Sequence, residues 1–105
     1  MIARLWHGWT TPADADAYED LLRTTIFPWI GDTVDGFRGA YLLRDDGADE
    51  VEFLTVTLFE SLDDVRAFAG EDHESSVVLP EAEALLSRFD ARSRHYETRI
   101  TPSRG

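Results

Sequence analysis

Three histidines and one glycine-flanked arginine are the residues of this chain best placed to do chemistry. His7, His73 and His95 carry imidazoles, which exchange protons near neutral pH and ligate metals. His7 and His95 fall in strand-like segments near the two ends of the sequence, and His73 in a polar stretch. Arg38 stands between Gly36 and Gly39, where a shielded guanidinium would hold a carboxylate or phenolate. The plainer role for Arg38 is a surface ion pair with one of the 21 acidic residues. Trp6, Tyr41 and Phe59 head a set of aromatics that would stack on a planar apolar ligand or fill a core and an interface.

Other chemistries find no support. The chain has no cysteine, so it has no disulfide framework, thiol nucleophile or cysteine zinc site. No two histidines have the H-x-x-x-H spacing of a helical metal site, and no metal is expected. There is no G-x-S-x-G elbow for hydrolysis, and Ser75-Ser76 has no evident partner. Gly36-Phe37-Arg38-Gly39 is too short for a phosphate loop and leads into a strand. All ten basic residues are arginine, against 21 acids, for a net charge of −11. Nucleic acids and anionic membranes, which need clustered cations, are therefore not expected partners. No apolar run reaches the roughly 20 residues of a membrane span, and Met1 leads straight into a strand pattern, so a cytoplasmic location is expected.

The elements that must position these residues can be read in order. Ile2 to Trp9 reads as a strand. Thr11 caps a helix that starts with Pro12 and carries the stripe Tyr18, Leu21, Leu22, Ile26 and Trp29, to be ended or kinked by Pro28. Strands over Phe37–Arg44 and Glu50–Phe59 flank an Asp-Gly connection, a hairpin signal. Along the second of these strands Leu54, Val56 and Leu58 form an aliphatic face suited to packing under helices. Phe53, Thr55, Thr57 and Phe59 form an opposite face suited to a cavity or a partner. Ser61 and Gly70 bound a second helix, and Ala82, Leu85, Leu86 and Phe89 predict a third after Pro80. Ala91 to Ile100 reads as the last strand, and its alternation places Ser93, His95 and Glu97 on one face, expected to be the pocket face rather than the helix face.

The order β-α-β-β-α-α-β is the α+β, ferredoxin-like pattern with an antiparallel sheet. It predicts one domain over residues 1–100, with a frayed tail at 101–105. The sheet face away from the helices needs a cover, and a second copy of the chain supplies one.

Four segments go further: Ile2-Ala3-Arg4-Leu5-Trp6-His7-Gly8, Gly36 to Arg44, Glu52 to Ser61, and Arg94-His95-Tyr96-Glu97. With Ala67-Phe68-Ala69-Gly70 and Pro80-Glu81-Ala82 between them, the chain resembles the antibiotic biosynthesis monooxygenase family of dimeric α+β barrels over about residues 2 to 100. The resemblance implies a homodimer with a small hydrophobic or aromatic ligand, oxidised without a cofactor. Family members that oxidise polycyclic phenols or degrade haem rely on an Asn, a Trp late in the third strand, and a His or Tyr. This chain has no Asn, and Phe59 stands where that Trp would be. The candidates that remain are His95 as base and Arg38 as anion stabiliser, with Trp6, Tyr41, Phe59 and His73 binding substrate. The alternative is a dimer that binds a small molecule or serves a stress response without catalysis. Haem ligation by His73 is disfavoured by the missing Asn and Trp.

Overall fold

Thr11 and Pro12 turn the chain out of its first strand as their chemistry requires. The computed structural model describes residues 1–102, so the tail expected at 101–105 lies mostly outside the described residues. Strand β1 spans Ile2–Thr10. The Thr11 hydroxyl then accepts from the Asp14 N–H at 3.3 Å, and a short tight turn leads into α1, Ala15–Leu21. Pro28 does not end the helix. The chain widens instead into a π turn at Leu22–Ile26, with Phe27 N–H bonded to Leu22 O, and continues as α2, Phe27–Thr33. The wide turn accommodates a proline that has no N–H and whose ring would clash with the carbonyl four residues back.

Strands β2 (Phe37–Asp46) and β3 (Val51–Phe59) form the expected hairpin, closed by Gly47 N–H to Glu50 O at 2.9 Å. Gly39 takes φ +115° where the β2 register shifts, so the second glycine of Gly36-x-x-Gly39 serves a bulge. Ser61 caps α3, Leu62–Ala69, and Gly70 ends it at φ +92°.

The third helix departs from expectation. Only Pro80–Glu83 is helical (α4), and Leu86–Phe89 is a strand, β4, paired with Gly8–Thr10 of β1. A second short strand, β5 (Arg94–Glu97), pairs with Ile2–Leu5 on the same edge of β1, so the final strand predicted over Ala91 to Ile100 is shorter than expected and is preceded by a strand where a helix was predicted. The apolar spacing of 82, 85, 86 and 89 fits a helix. However, the upper half of the β1 edge offers ladder hydrogen bonds that only a strand can satisfy. The result is an antiparallel five-stranded sheet of order β2-β3-β1-β4, with β5 beside β4 on β1. The architecture is α+β and ferredoxin-like.

The two faces of β3 are also exchanged relative to expectation. Val51, Phe53, Thr55, Thr57 and Phe59 are the buried residues and lie under the helices. Phe53 meets Tyr18 edge-on at 4.9 Å, and Phe59 packs with Ile30, Val34 and Val65. Rings have the reach to meet helices across the roughly 10 Å between layers, and they bury more area than Leu or Val. Leu54, Val56 and Leu58 instead share the uncovered face with Leu5, Tyr41 and Leu43, and none of these is buried.

Candidate functional site

Register places Arg4 beside Thr57 of β3 on one side and His95 of β5 on the other, and places Trp6 beside Thr55. These side chains share the helix side of the sheet. There Arg4, Trp6, Thr55 and Thr57 floor a recess roofed by Leu22, Ile26 and Phe27 of the first helical layer, with Phe68 of α3 and Val77–Leu79 of the following loop at its sides. Its open interior is about 60 Å³, and the whole recess, mouth and narrow crevices included, is about 560 Å³. The lining is mostly apolar. Thr55 and Thr57 donate their hydroxyls to the carbonyls of Trp6 and Arg4, and the Trp6 indole N–H donates to Asp90 O at 2.7 Å, so all three are spent on backbone.

Arg4 is the charged group in this recess. It is 4% exposed, and burial pulls its guanidinium down to about 10, which leaves it charged at neutral pH. Nη1 donates to His73 O and to His95 Nε2 (3.0 Å for the latter), and Nη2 donates to Ser75 O at 2.7 Å. The cation also lies 5.5 Å from the Phe68 ring centre. One side chain thus ties the loop around residues 73–75 to the central strand.

Of the residues singled out from sequence, Trp6 lines the recess. His95 and His73 adjoin it through Arg4, their own rings 5.1 Å apart. The structure does not bring the other three there. Arg38 is exposed and paired with Glu60 at 2.8 Å; it lies on the outer strand β2, at the register shift between Phe37 and Gly39 where it has no partner in β3. Tyr41 is 55% exposed on the uncovered face, and Phe59 is 0% exposed within the core. His7 also lies on the uncovered face, between Glu52 at 3.4 Å and Asp90 at 3.2 Å. Sequence reasoning missed Arg4 and Ser93. The available signal for Arg4 was its parity with Ile2 and Trp6, which makes it a lone cation on an inward face.

His95 is not placed to act as a base. An arginine N–H only donates, so Nε2 is the acceptor and the proton sits on Nδ1. Burial, then the charge of Arg4 and the proximity of His73, lower His95 to about 4 from 6.5. The unfolded chain therefore takes up a proton in this window that the folded chain refuses, so stability is complete above about pH 6.5 and is lost as pH falls toward 4. Urea midpoints measured from pH 7 to pH 4.5 should fall more steeply for the native chain than for His95→Gln, which keeps an acceptor for Arg4 but does not titrate. Parallel pH profiles for the two proteins would refute this.

No histidine, the commonest axial ligand of haem, lines the recess. Among the described residues no group of three potential ligands converges on a metal position. No helix among them is long and apolar enough to cross a membrane.

Three solved structures align with nearly the whole chain. The haem degrader MhuD of Mycobacterium tuberculosis, with two haems in its active site, matches at TM-score 0.61 and 19% identity, covering 98% of this chain and 100% of its own. ActVA-Orf6, a Streptomyces coelicolor monooxygenase in complex with nanaomycin D, matches at 0.57 and 18%, covering 97% and 92%. A Chloroflexus aurantiacus protein that carries the name of antibiotic biosynthesis monooxygenase matches at 0.53 and 16%, covering 99% and 96%. The chain has the fold of these proteins. No family model and no curated protein sequence matches it. The resemblance read from the four segments is thus met at the level of fold, over almost the full length of this chain.

Proposed function

We propose that this chain is a cofactor-independent monooxygenase for a small aromatic or polyketide-like substrate, working as a homodimer with residues 1–100 as its single domain. The observation that carries this reading is the aromatic-flanked recess between sheet and helices with one buried cation, Arg4, at its floor. Its open interior of about 60 Å³ is smaller than the roughly 300–1,000 Å³ of small-molecule sites, so this reading requires the side chains around it to part as a substrate enters. The ligands named for the neighbouring structures, haem and nanaomycin D, are both planar and polycyclic.

Direct reaction with oxygen needs an electron-rich ring, and a deprotonated phenol is one. Arg4 favours that anion by charge in a site shielded from water. The overall change replaces a ring C–H and the phenolic O–H by two quinone carbonyls. One atom of O₂ enters the ring and the other leaves as water, with four electrons passing from substrate to oxygen. Arg4 thus takes the part first assigned to Arg38, and His95 holds Arg4 in place.

One observation favours the alternative, a dimer that binds a ligand without turning it over: no residue lining the recess is a base at neutral pH. An oxygen electrode separates the two readings. With 1,5-dihydroxynaphthalene the enzyme should consume oxygen and form quinone at a rate that saturates and exceeds the protein-free rate. Saturable binding with no uptake of oxygen would leave only the binding role.

A further inference from the structure

Arg4 is a buried cation without a counter-ion among the described residues. The chain carries 21 acids, and Arg23, Arg38, Arg44, Arg66, Arg88, Arg92 and Arg99 all pair with one. Arg94 is exposed and lies near the Tyr96 ring. Arg4 alone is both buried and unpaired among the described residues, which is a costly arrangement unless something else supplies the charge.

Its hydrogen bonds are also incomplete. A guanidinium has five N–H groups in a fixed plane. Three are spent on His73 O, His95 Nε2 and Ser75 O. The Nε–H and the second Nη2–H have no partner among the described residues. Ser93, 2% exposed, lines the same recess, and its hydroxyl is likewise without a partner. A mostly apolar recess thus carries one positive charge beside donors that have no partner among the described residues.

We propose that Arg4 and Ser93 form a seat for an anionic oxygen, a phenolate or carboxylate on a flat apolar body, so that the ligand binds as its anion. Two N–H groups of one guanidinium suit a two-oxygen or shared-oxygen contact, and the Ser93 hydroxyl adds a further donor. His95 acts as a positioning residue, since by accepting from Nη1 it fixes the plane of the guanidinium. This inference rests on the ligand site proposed above and narrows its substrate class to organic monoanions.

Calorimetric titration at pH 7 with four probes tests it: 2-naphthoate, its neutral isostere 2-naphthamide, 2-naphthol and 2-methoxynaphthalene. We expect 2-naphthoate to bind at least tenfold more tightly than 2-naphthamide, or bound 2-naphthol to show the absorbance of naphtholate at a pH where the free phenol is un-ionised. The first result identifies carboxylates and the second phenols as the ligands. Arg4→Met should remove the preference for the anion, and Ser93→Ala should reduce it severalfold. If Arg4→Met does not fold, the comparison of acid with amide in the native chain and in Ser93→Ala still decides. Equal affinity for acid and amide, with naphthol bound un-ionised, overturns the inference while leaving the ligand site intact. Failure of all four probes, 2-methoxynaphthalene included, removes the ligand site itself.

Discussion

Replacing Phe59 by alanine should cost the fold about 3–5 kcal/mol, the usual range for emptying a buried aromatic site. The side chain is 0% exposed, with ring centres of Phe37 and Phe68 at 5.6 and 5.8 Å. Ile30, Val34 and Val65 complete the cluster, drawn from α2, the turn after it and α3. The void would open where both helical elements meet the sheet, so no single side chain can collapse into it. A domain of this size is held by only about 5–15 kcal/mol, so the loss should appear as a large drop in urea midpoint. A stability change below about 1 kcal/mol, joined to weakened ligand binding, would instead return Phe59 to the pocket role that the sequence suggested.

Phe59 also illustrates what could and could not be read from the sequence. Local chemistry was legible: Thr11 with Pro12, Ser61 with Gly70 and the Asp-Gly hairpin each name a boundary through one or two residues' own preferences. These are decided within a few positions and need no partner. The faces of β3 were not legible. Alternation separates Leu54, Val56 and Leu58 from Phe53, Thr55, Thr57 and Phe59, but both sets are apolar enough to be covered, and period two does not say which set the helices choose. The spacing of Leu86 and Phe89 fits 3.6 residues and so predicts a helix, whereas the free edge of β1 decides their state. For the site, the glycines around Arg38 drew attention to the wrong arginine. Gly39 serves a bulge, while Arg4 sits unmarked in a strand whose parity with Trp6 was the one available clue.

His95 shows a subtler gap. It shares parity with Ser93, but it lies on the helix side of the sheet and does not line the recess, which overturns the expectation that it faces a pocket away from the helices. In the structure the recess lies between sheet and helices, so pocket face and helix face are one. What alternation cannot report is which neighbour occupies the ring nitrogen. That neighbour, Arg4 at 3.0 Å, removes His95 from the list of bases.

Introducing one charge at the centre of the uncovered sheet face should dissociate the proposed homodimer. In register, Leu5, Val56 and Tyr41 form one row across β1, β3 and β2, and His7, Leu54 and Leu43 form the next. Leu58 and Ala3 extend the surface, with Tyr96 of β5 at its margin, 46% exposed. A contiguous apolar patch of this kind marks an interaction surface. Its central row is apolar, with His7 beside Glu52 and Asp90 in the next and Arg88 and Glu50 paired toward one end, the pattern of an apolar centre with a polar rim. A twofold dimer through such a face brings each substitution in twice, against its own copy or a near neighbour. Val56 lies in the central row and its side chain points away from the helical core, so Val56→Glu should leave the monomer fold intact. In the dimer each new carboxylate would be buried without a partner, at about 3–5 kcal/mol apiece. At 1.4 kcal/mol per tenfold, the two together weaken dimerisation by at least about ten-thousandfold. Sedimentation equilibrium at micromolar concentration should therefore find native chain as dimer and Val56→Glu as monomer. Circular dichroism should be unchanged between them, and Arg38→Ala, outside these rows, should remain dimeric. A native chain that sediments as a monomer, or a Val56→Glu variant that stays dimeric, would show that this face is not where two copies meet.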